Sequence, residues 1–155
     1  MVYKVYTDGS YLQSSNSSGL AFIIRTVEDL IAIGYSPVQD TSIHTIEAKA
    51  VNYALNYLYL TNMLNEGDEV HLCTDRKLLI QRQAEIQNNN LIRVKNIDII
   101  VSKKIQYLLS LGIKIKWVHV VSHSEQRNSN VHVDRLAVAC AGGNLGVCNC
   151  LEWRI

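Results

Sequence analysis

The chain has 155 residues, 48% of them hydrophobic, and a formal net charge of +1 at pH 7. This length and hydrophobic fraction suit one globular domain, and we expect residues 1–155 to form it, with a core in 2–141 and a tail at 142–155. The N-terminus has no apolar signal region, and no run of about eighteen uncharged apolar residues exists. We therefore expect a soluble, cytoplasmic protein with no membrane partner. Because nothing in the sequence suggests a dimer, we also expect a monomer.

The four cysteines are sparse for a secreted disulfide scaffold, and Cys73 falls in a predicted core strand. Reduced thiols are therefore expected. Cys148 and Cys150, read with Cys140 or a histidine, offer a soft-metal site, but their spacing fits no standard zinc pattern. Buried or incidental cysteines are the favoured interpretation.

The chain begins with three predicted strands. The first spans residues 2–8 and is followed by a polar, turn-forming stretch at 13–19. Apolar runs at 20–24 and 30–35 predict the second and third strands, in meander order. Pro37 is expected to end the third strand.

Helices and strands alternate in the rest of the chain. The predicted elements are a helix at 45–60, a strand closing at Asp75, a short helix at 76–81, a polar break at 82–90, a helix at 91–111 ended by Gly112, a strand at 113–121, a loop at 122–129 and a helix at 130–141. The resulting order, βββαβααβα, is typical of an α/β domain.

Two carboxylates end predicted strands. Asp8 closes the run at 2–7 and Asp75 closes the run at 70–74, and a threonine precedes each of them. Both runs are rich in β-branched, aromatic and apolar residues, as strands are. A Thr-Asp pair therefore ends each of two strands.

Two further carboxylates lie on the apolar faces of predicted helices. Glu47 shares a helical stripe with Ala50, Val51, Ala54, Leu55 and Leu58, and Asp134 shares one with Ala137, Val138 and Ala141. A buried, unpaired carboxylate costs several kcal/mol, so four together require a positive partner. A divalent metal ion meets that requirement.

Charge is distributed unevenly along the chain. Residues 76–116 contain nine Lys or Arg against Glu85 and Asp98, a net charge of +7, and the rest of the chain carries −6. A basic segment beside an acidic cluster suits a polyanion held near metal ions. An ordinary solvated helix face is the open alternative.

A set of motifs follows a fixed order along the chain. The sequence reads YTDGS at 6–10, an acid in the first long helix, CTD at 73–75, WVHVVSH at 117–123 and NVHVD at 130–134. In this order and on these elements, the motifs resemble those of type 1 ribonuclease H, over roughly residues 2–141. Thr-Asp alone arises by chance in many proteins, and the order of the whole set carries the resemblance.

The resemblance implies a five-stranded mixed sheet, its first three strands antiparallel, with helices on its faces. It further implies hydrolysis of the RNA strand of RNA/DNA hybrids with two Mg²⁺ ions, with Mn²⁺ as a substitute. Asp8, Glu47, Asp75 and Asp134 match the metal ligands. Hard oxygen ligands without thiolate independently favour Mg²⁺ or Mn²⁺. A polymerase is a candidate partner.

The resemblance also implies functions for residues outside the carboxylate set. His123 matches a histidine that assists proton transfer or product release, whereas His119 is read as a strand residue and His132 as a helix-surface residue. The residues that match substrate-contact positions or lie beside them are Gly9, Ser10, Tyr11, Gly19, His44, Arg76 and Asn130.

The chain departs from the family pattern at three places. His44 stands where the family commonly has an asparagine that contacts bases. The stretch at 82–90 is short and lacks the tryptophan of the family's basic protrusion, which predicts weak, salt-sensitive binding. The loop at 13–18 is rich in serine instead of glycine and proline.

Three alternatives to a hybrid-cutting endonuclease stay open. The first is a nuclease of the same fold with another nucleic-acid substrate. The second is a catalytically silent nucleic-acid-binding module, which the retention of all four acids disfavours. The third, a structural α/β domain, needs basic partners for the acids, but the basic residues cluster in 76–116.

Overall fold

The structure is a computed structural model that describes residues 1–121 and 127–143, with the backbone alone at 127 and 128. Helices and strands account for most of this part of the chain. None of the helices in these two ranges is long and apolar enough to cross a membrane.

One five-stranded sheet forms the centre of the fold. Its strands are β1 (Val2–Leu12), β2 (Ser17–Arg25), β3 (Leu30–Val38), β4 (Glu69–Thr74) and β5 (Lys114–His119). Their order across the sheet is β3-β2-β1-β4-β5. β1, β2 and β3 pair antiparallel, whereas β4 is parallel to both β1 and β5. The predicted mixed sheet, antiparallel in its first three strands, is confirmed.

In the part of the chain that the structure describes, four helices flank the sheet: α1 (Ile43–Leu60), α2 (Lys77–Gln87), α3 (Asn96–Ser110) and α4 (Arg127–Ala141). The predicted order βββαβααβα is confirmed. Ser42 caps α1, since its hydroxyl accepts the Thr45 N–H at 3.4 Å. Gly112 follows α3 with a φ of +81°, a conformation that glycine adopts without steric cost.

The two faces of the sheet bury separate apolar clusters. On one face, residues of β1, β2 and β4 such as Val5 and Phe22 pack with α1 and α3. On the other face, Tyr6, Ala21 and Cys73 pack with α4. The strands thus separate α1 and α3 from α4, and residues at the strand ends are within reach of both layers.

Several predicted boundaries are wrong. Pro37 does not end β3, because β3 is an edge strand, where a residue without an N–H breaks no ladder. The polar stretch at 82–87 continues α2 instead of ending it. α3 begins at Asn96, later than predicted, where the Asp98 carboxylate accepts the Lys95 N–H at 3.0 Å.

Candidate active site

Asp8 and Asp75 lie close together on the two neighbouring central strands, because of the strand register. Tyr6 of β1 is opposite Cys73 of β4, the last pair of these parallel strands. Each aspartate lies two residues further on, so both point to the α4 face. Asp75 directly follows the end of β4, as predicted. Asp8, predicted to close the first strand, lies inside β1, which continues to Leu12 because its residues still pair with β2. The two Thr-Asp pairs recognised in the sequence therefore converge.

Glu47 of α1 lies close to Asp8 because Gly9, which has no side chain, lets the helix approach β1. A Cβ on Gly9 would lie 2.6 Å from Ile46 Cγ2 and 3.1 Å from the Glu47 nitrogen. The Gly9 N–H donates to Asp8 Oδ1 at 2.8 Å and is 3.3 Å from Glu47 Oε1. Gly9 thus brings together two of the carboxylates.

Asp8, Glu47 and Asp75 form a compact group. One oxygen from each lies within 4.8 Å of the others, and the first two residues are buried. Glu47 Oε2 is buried and has no hydrogen-bond partner among the described residues. Hard oxygen donors at this separation, one of them unpaired, fit Mg²⁺ or Mn²⁺.

The three carboxyl groups hold protons more tightly than isolated ones. Burial raises the pKa of Asp8 to about 11, helped by a hydrogen bond to Glu47 and by the charges of Glu47 and Asp75. Burial also raises the pKa of Glu47, and partial loss of solvent, together with Asp134, raises the pKa of Asp75. A bound metal cation would favour the ionised form of these carboxyl groups and would release their protons.

Asp134 and Asn130 reach the site from α4. Asp134 is exposed and lies outside the three-carboxylate group, but its charge acts on Asp75. The Asn130 side chain donates to Asp75, which lowers the pKa of that carboxyl. Asn130 Oδ1 is buried with no partner among the described residues. The metal-ligand function of Asp134 stays a prediction.

Arg76 and His119 lie at the border of the group. The charge of Arg76 lowers the pKa of Glu47, and its Nε atom is buried with no partner among the described residues. His119 Nε2 lies 3.2 Å from the backbone oxygen of Asp75. The prediction that His119 is a strand residue is confirmed, since it lies in β5, and its ring also contacts the backbone of Asp75.

His44 is buried behind the site and does not project into solvent. It is 5% exposed, and Nε2 lies 2.8 Å from Asp98 Oδ1, while Nδ1 has no partner among the described residues. Gln83 Nε2 donates to the Asp98 backbone oxygen at 3.0 Å. The pair therefore joins α1, α2 and α3, and a substrate contact by His44 stays a prediction.

The other predicted substrate contacts lie along the end of β1. Ser10 is opposite Gly19, and the Tyr11 hydroxyl donates to Asn16 Oδ1 at 2.7 Å. A Cβ on Gly19 would lie 2.4 Å from the Ala141 nitrogen, so this glycine accommodates α4. Contacts of these residues with substrate stay predictions.

Two interpretations of the sequence concern residues outside the described ranges. They are the function of His123 and the disfavoured soft-metal site at Cys148 and Cys150. Sequence reasoning missed Asp98, which it counted only as a charge. Acidic residues are favoured in the first turn of a helix, and this preference is the signal that could have marked Asp98.

Comparison with known proteins agrees with this geometry. The family model described as RNase H matches residues 2–141. A search of curated proteins finds no match.

Solved structures of similar fold come from archaea, environmental DNA and viruses. RNase H1 from Halobacterium salinarum has a TM-score of 0.66 and 15% identity, over 90% of this chain and 97% of that chain. LC11-RNase H1, isolated from compost by metagenomics and solved with an RNA/DNA hybrid, has a TM-score of 0.69 and 17% identity, over 93% of this chain and 99% of that chain. A foamy viral protease-reverse transcriptase, solved with double-stranded DNA, has a TM-score of 0.69 and 24% identity, over 90% and 93%.

These structural likenesses establish the fold, and the family match extends over most of the sequence, from β1 through α4. The chain belongs to the RNase H family.

Proposed function

We propose that this protein is an endonuclease that hydrolyses the RNA strand of RNA/DNA hybrids. The observation that carries the proposal is the compact group of Asp8, Glu47 and Asp75, where β4 ends beside β1. LC11-RNase H1, a structure of similar fold, was solved with an RNA/DNA hybrid. The basic segment 76–116 begins beside the carboxylates, which suits a polyanionic substrate.

Asp8, Glu47, Asp75 and Asp134 would hold two Mg²⁺ ions, for which Mn²⁺ can substitute. When bound, the ions supply activation of the attacking water and charge stabilisation of the leaving 3′ oxygen, so that the products carry 5′-phosphate and 3′-hydroxyl ends. The partnerless Glu47 Oε2 and the raised pKa of Asp8 support a cation at this place.

Other residues of the chain orient these ligands. The Gly9 N–H holds Asp8 and Glu47 together, and the Asn130 amide orients Asp75 from α4. Arg76 offers a buried Nε donor beside Glu47, suited to a phosphate oxygen. We assign to His123 the transfer of a proton during turnover, as imidazole titrates near neutral pH.

The test is cleavage of a labelled RNA/DNA hybrid at low salt with Mg²⁺, and separately with Mn²⁺. Single-stranded RNA, duplex RNA and duplex DNA serve as substrate controls. Asp75→Asn is the inactive variant, and Asp29→Asn, at an exposed turn between β2 and β3, is the matched control. We expect hybrid-only cutting, lost in Asp75→Asn and kept in Asp29→Asn.

Each other outcome identifies an alternative. Cutting of another duplex would indicate a different substrate. Substrate preference is open because His44, at a position where the family commonly has a base-contacting asparagine, is buried. Hybrid binding without cutting in either metal would indicate a silent binding module. A polymerase partner, a monomeric state and a cytoplasmic location stay proposals that this assay does not address.

A further inference from the structure

A row of basic side chains crosses four strands of the sheet. The register places Arg25 opposite Lys4, Lys4 opposite His71, and His71 opposite Lys116. Residues directly opposite each other on neighbouring strands point to the same face. These four residues, from β2 through β1 and β4 to β5, are called the basic row below.

The basic row lies on the same face as α4 and beside the start of that helix. Tyr6 and Cys73 are two residues further along the same strands and pack with α4. Since side chains alternate along a strand, Lys4 and His71 share their face. Arg25 Nη1 donates to Ser129 Oγ of α4 at 3.3 Å.

The row has an excess of positive charge. Lys116 is exposed, and Lys4, Arg25 and His71 are partly exposed. Lys114 adds a further cation beside the row, and Glu69, bonded to His71 Nε2 at 2.5 Å, is the neighbouring acid. Within the described ranges, Lys4, Arg25 and Lys116 take part in no salt bridge, whereas His71 contacts Glu69. Arg25 donates to the uncharged oxygens of Thr26 and Ser129. The charges of Lys4, Arg25 and Lys116 can therefore attract an external anion.

The row is aligned with the carboxylate group. Lys4 precedes Asp8 by four residues and His71 precedes Asp75 by four, a distance of about 13 Å along the strands. Four strands at about 4.8 Å spacing give the row a length of about 14 Å.

We propose that the basic row binds the phosphates of a single-stranded extension of the nucleic acid whose duplex part occupies the carboxylate site. This inference rests on the proposed function and adds a second contact region to it. A linear series of cations matches the regular charges of a nucleic-acid backbone. A single strand is flexible enough to turn from the carboxylates toward the row.

The test measures affinity by fluorescence anisotropy in EDTA, so that no cleavage occurs, at several salt concentrations. The probes are a blunt RNA/DNA hybrid and the same hybrid with a single-stranded DNA extension of roughly six nucleotides, longer than the row, on either end. We expect the wild-type chain to bind one extended hybrid more tightly than the blunt one. The Lys4→Gln/Lys116→Gln variant should lose this gain in affinity. For the extended hybrid, the slope of log affinity against log salt concentration should decrease in magnitude by about 1.4, or about 0.7 per lost phosphate contact.

The matched control is Arg93→Gln/Lys103→Gln, which removes the same charge from two exposed positions in the basic segment but outside the row. It should keep the gain from the extension, whatever its effect on the blunt hybrid. The proposal is overturned if the wild type shows no gain with either extension, if the row variant keeps the gain, or if the control loses it equally.

Folding of the variants is checked by thermal melting. Should the double variant be unfolded, Lys116→Gln alone, at an exposed position, must lower the slope by about 0.7. Failure of the proposed function is read separately, from Mg²⁺-dependent cleavage of the blunt hybrid by the wild type. If the chain cuts blunt hybrids but binds extended hybrids no more tightly, the proposal for the basic row is refuted and the proposed nuclease function stands.

Discussion

Substitution of Asp8 by asparagine should make the metal-free protein more stable, and increasingly so as the pH rises. Asp8 is 4% exposed and shares a hydrogen bond with Glu47. Burial raises its pKa to about 11, far above the usual range of an aspartate. Above pH 4 the folded state therefore retains a proton that the unfolded chain releases, and the free energy of unfolding falls with rising pH.

The size of the effect follows from proton linkage. One retained proton changes the free energy of unfolding by at most about 1.4 kcal/mol per pH unit. Relaxation around the carboxyl groups reduces this, and we expect Asp8→Asn to gain about 1–3 kcal/mol over the wild type between pH 5 and pH 8. In a chain of this length the gain corresponds to a Tm difference of about 3–10 °C.

The assay is thermal or urea unfolding in EDTA at pH 5, 6.5 and 8, for the wild type, Asp8→Asn and the exposed control Asp29→Asn. Added Mg²⁺ should stabilise the wild type at pH 8 and stabilise Asp8→Asn less, because a ligand is missing. A constant difference between Asp8→Asn and the wild type at every pH would refute the reasoning from clustered carboxyl groups. So would equal stabilisation of both by Mg²⁺.

Further substitutions test the other contacts. Gly19→Ala should destabilise by about 1–3 kcal/mol in urea unfolding, because its Cβ would lie 2.4 Å from the Ala141 nitrogen, and an unchanged midpoint would contradict this packing. His44→Ala should cost about 1–3 kcal/mol, since it leaves Asp98 Oδ1 buried without a partner while Oδ2 still accepts the Lys95 N–H, and an unchanged midpoint would mean that the pair is dispensable. His123→Ala should slow hybrid cleavage at saturating substrate by about 10²- to 10⁴-fold without abolishing it, and an unchanged rate would remove His123 from the mechanism.

The strand and helix signals near the carboxylates could be read locally. Thr7-Asp8 and Thr74-Asp75 end apolar, β-branched runs, and Glu47 lies on the apolar stripe of a long helix. Alternation and helical periodicity record which side of an element is buried, so the order of elements followed from the sequence. The convergence of the acids was a further inference, drawn from the cost of burying them unpaired.

Tertiary structure decided the features that depend on partners distant in sequence. Asp98 lies 54 residues from His44, and no local pattern indicates that the two side chains meet. Pro37 is tolerated because β3 is the edge of the sheet, and the basic row exists because β4 inserts between β1 and β5. Local sequence determines which face of an element is apolar, but strand order and register determine which residues become neighbours, and these are set by the packing of the whole chain.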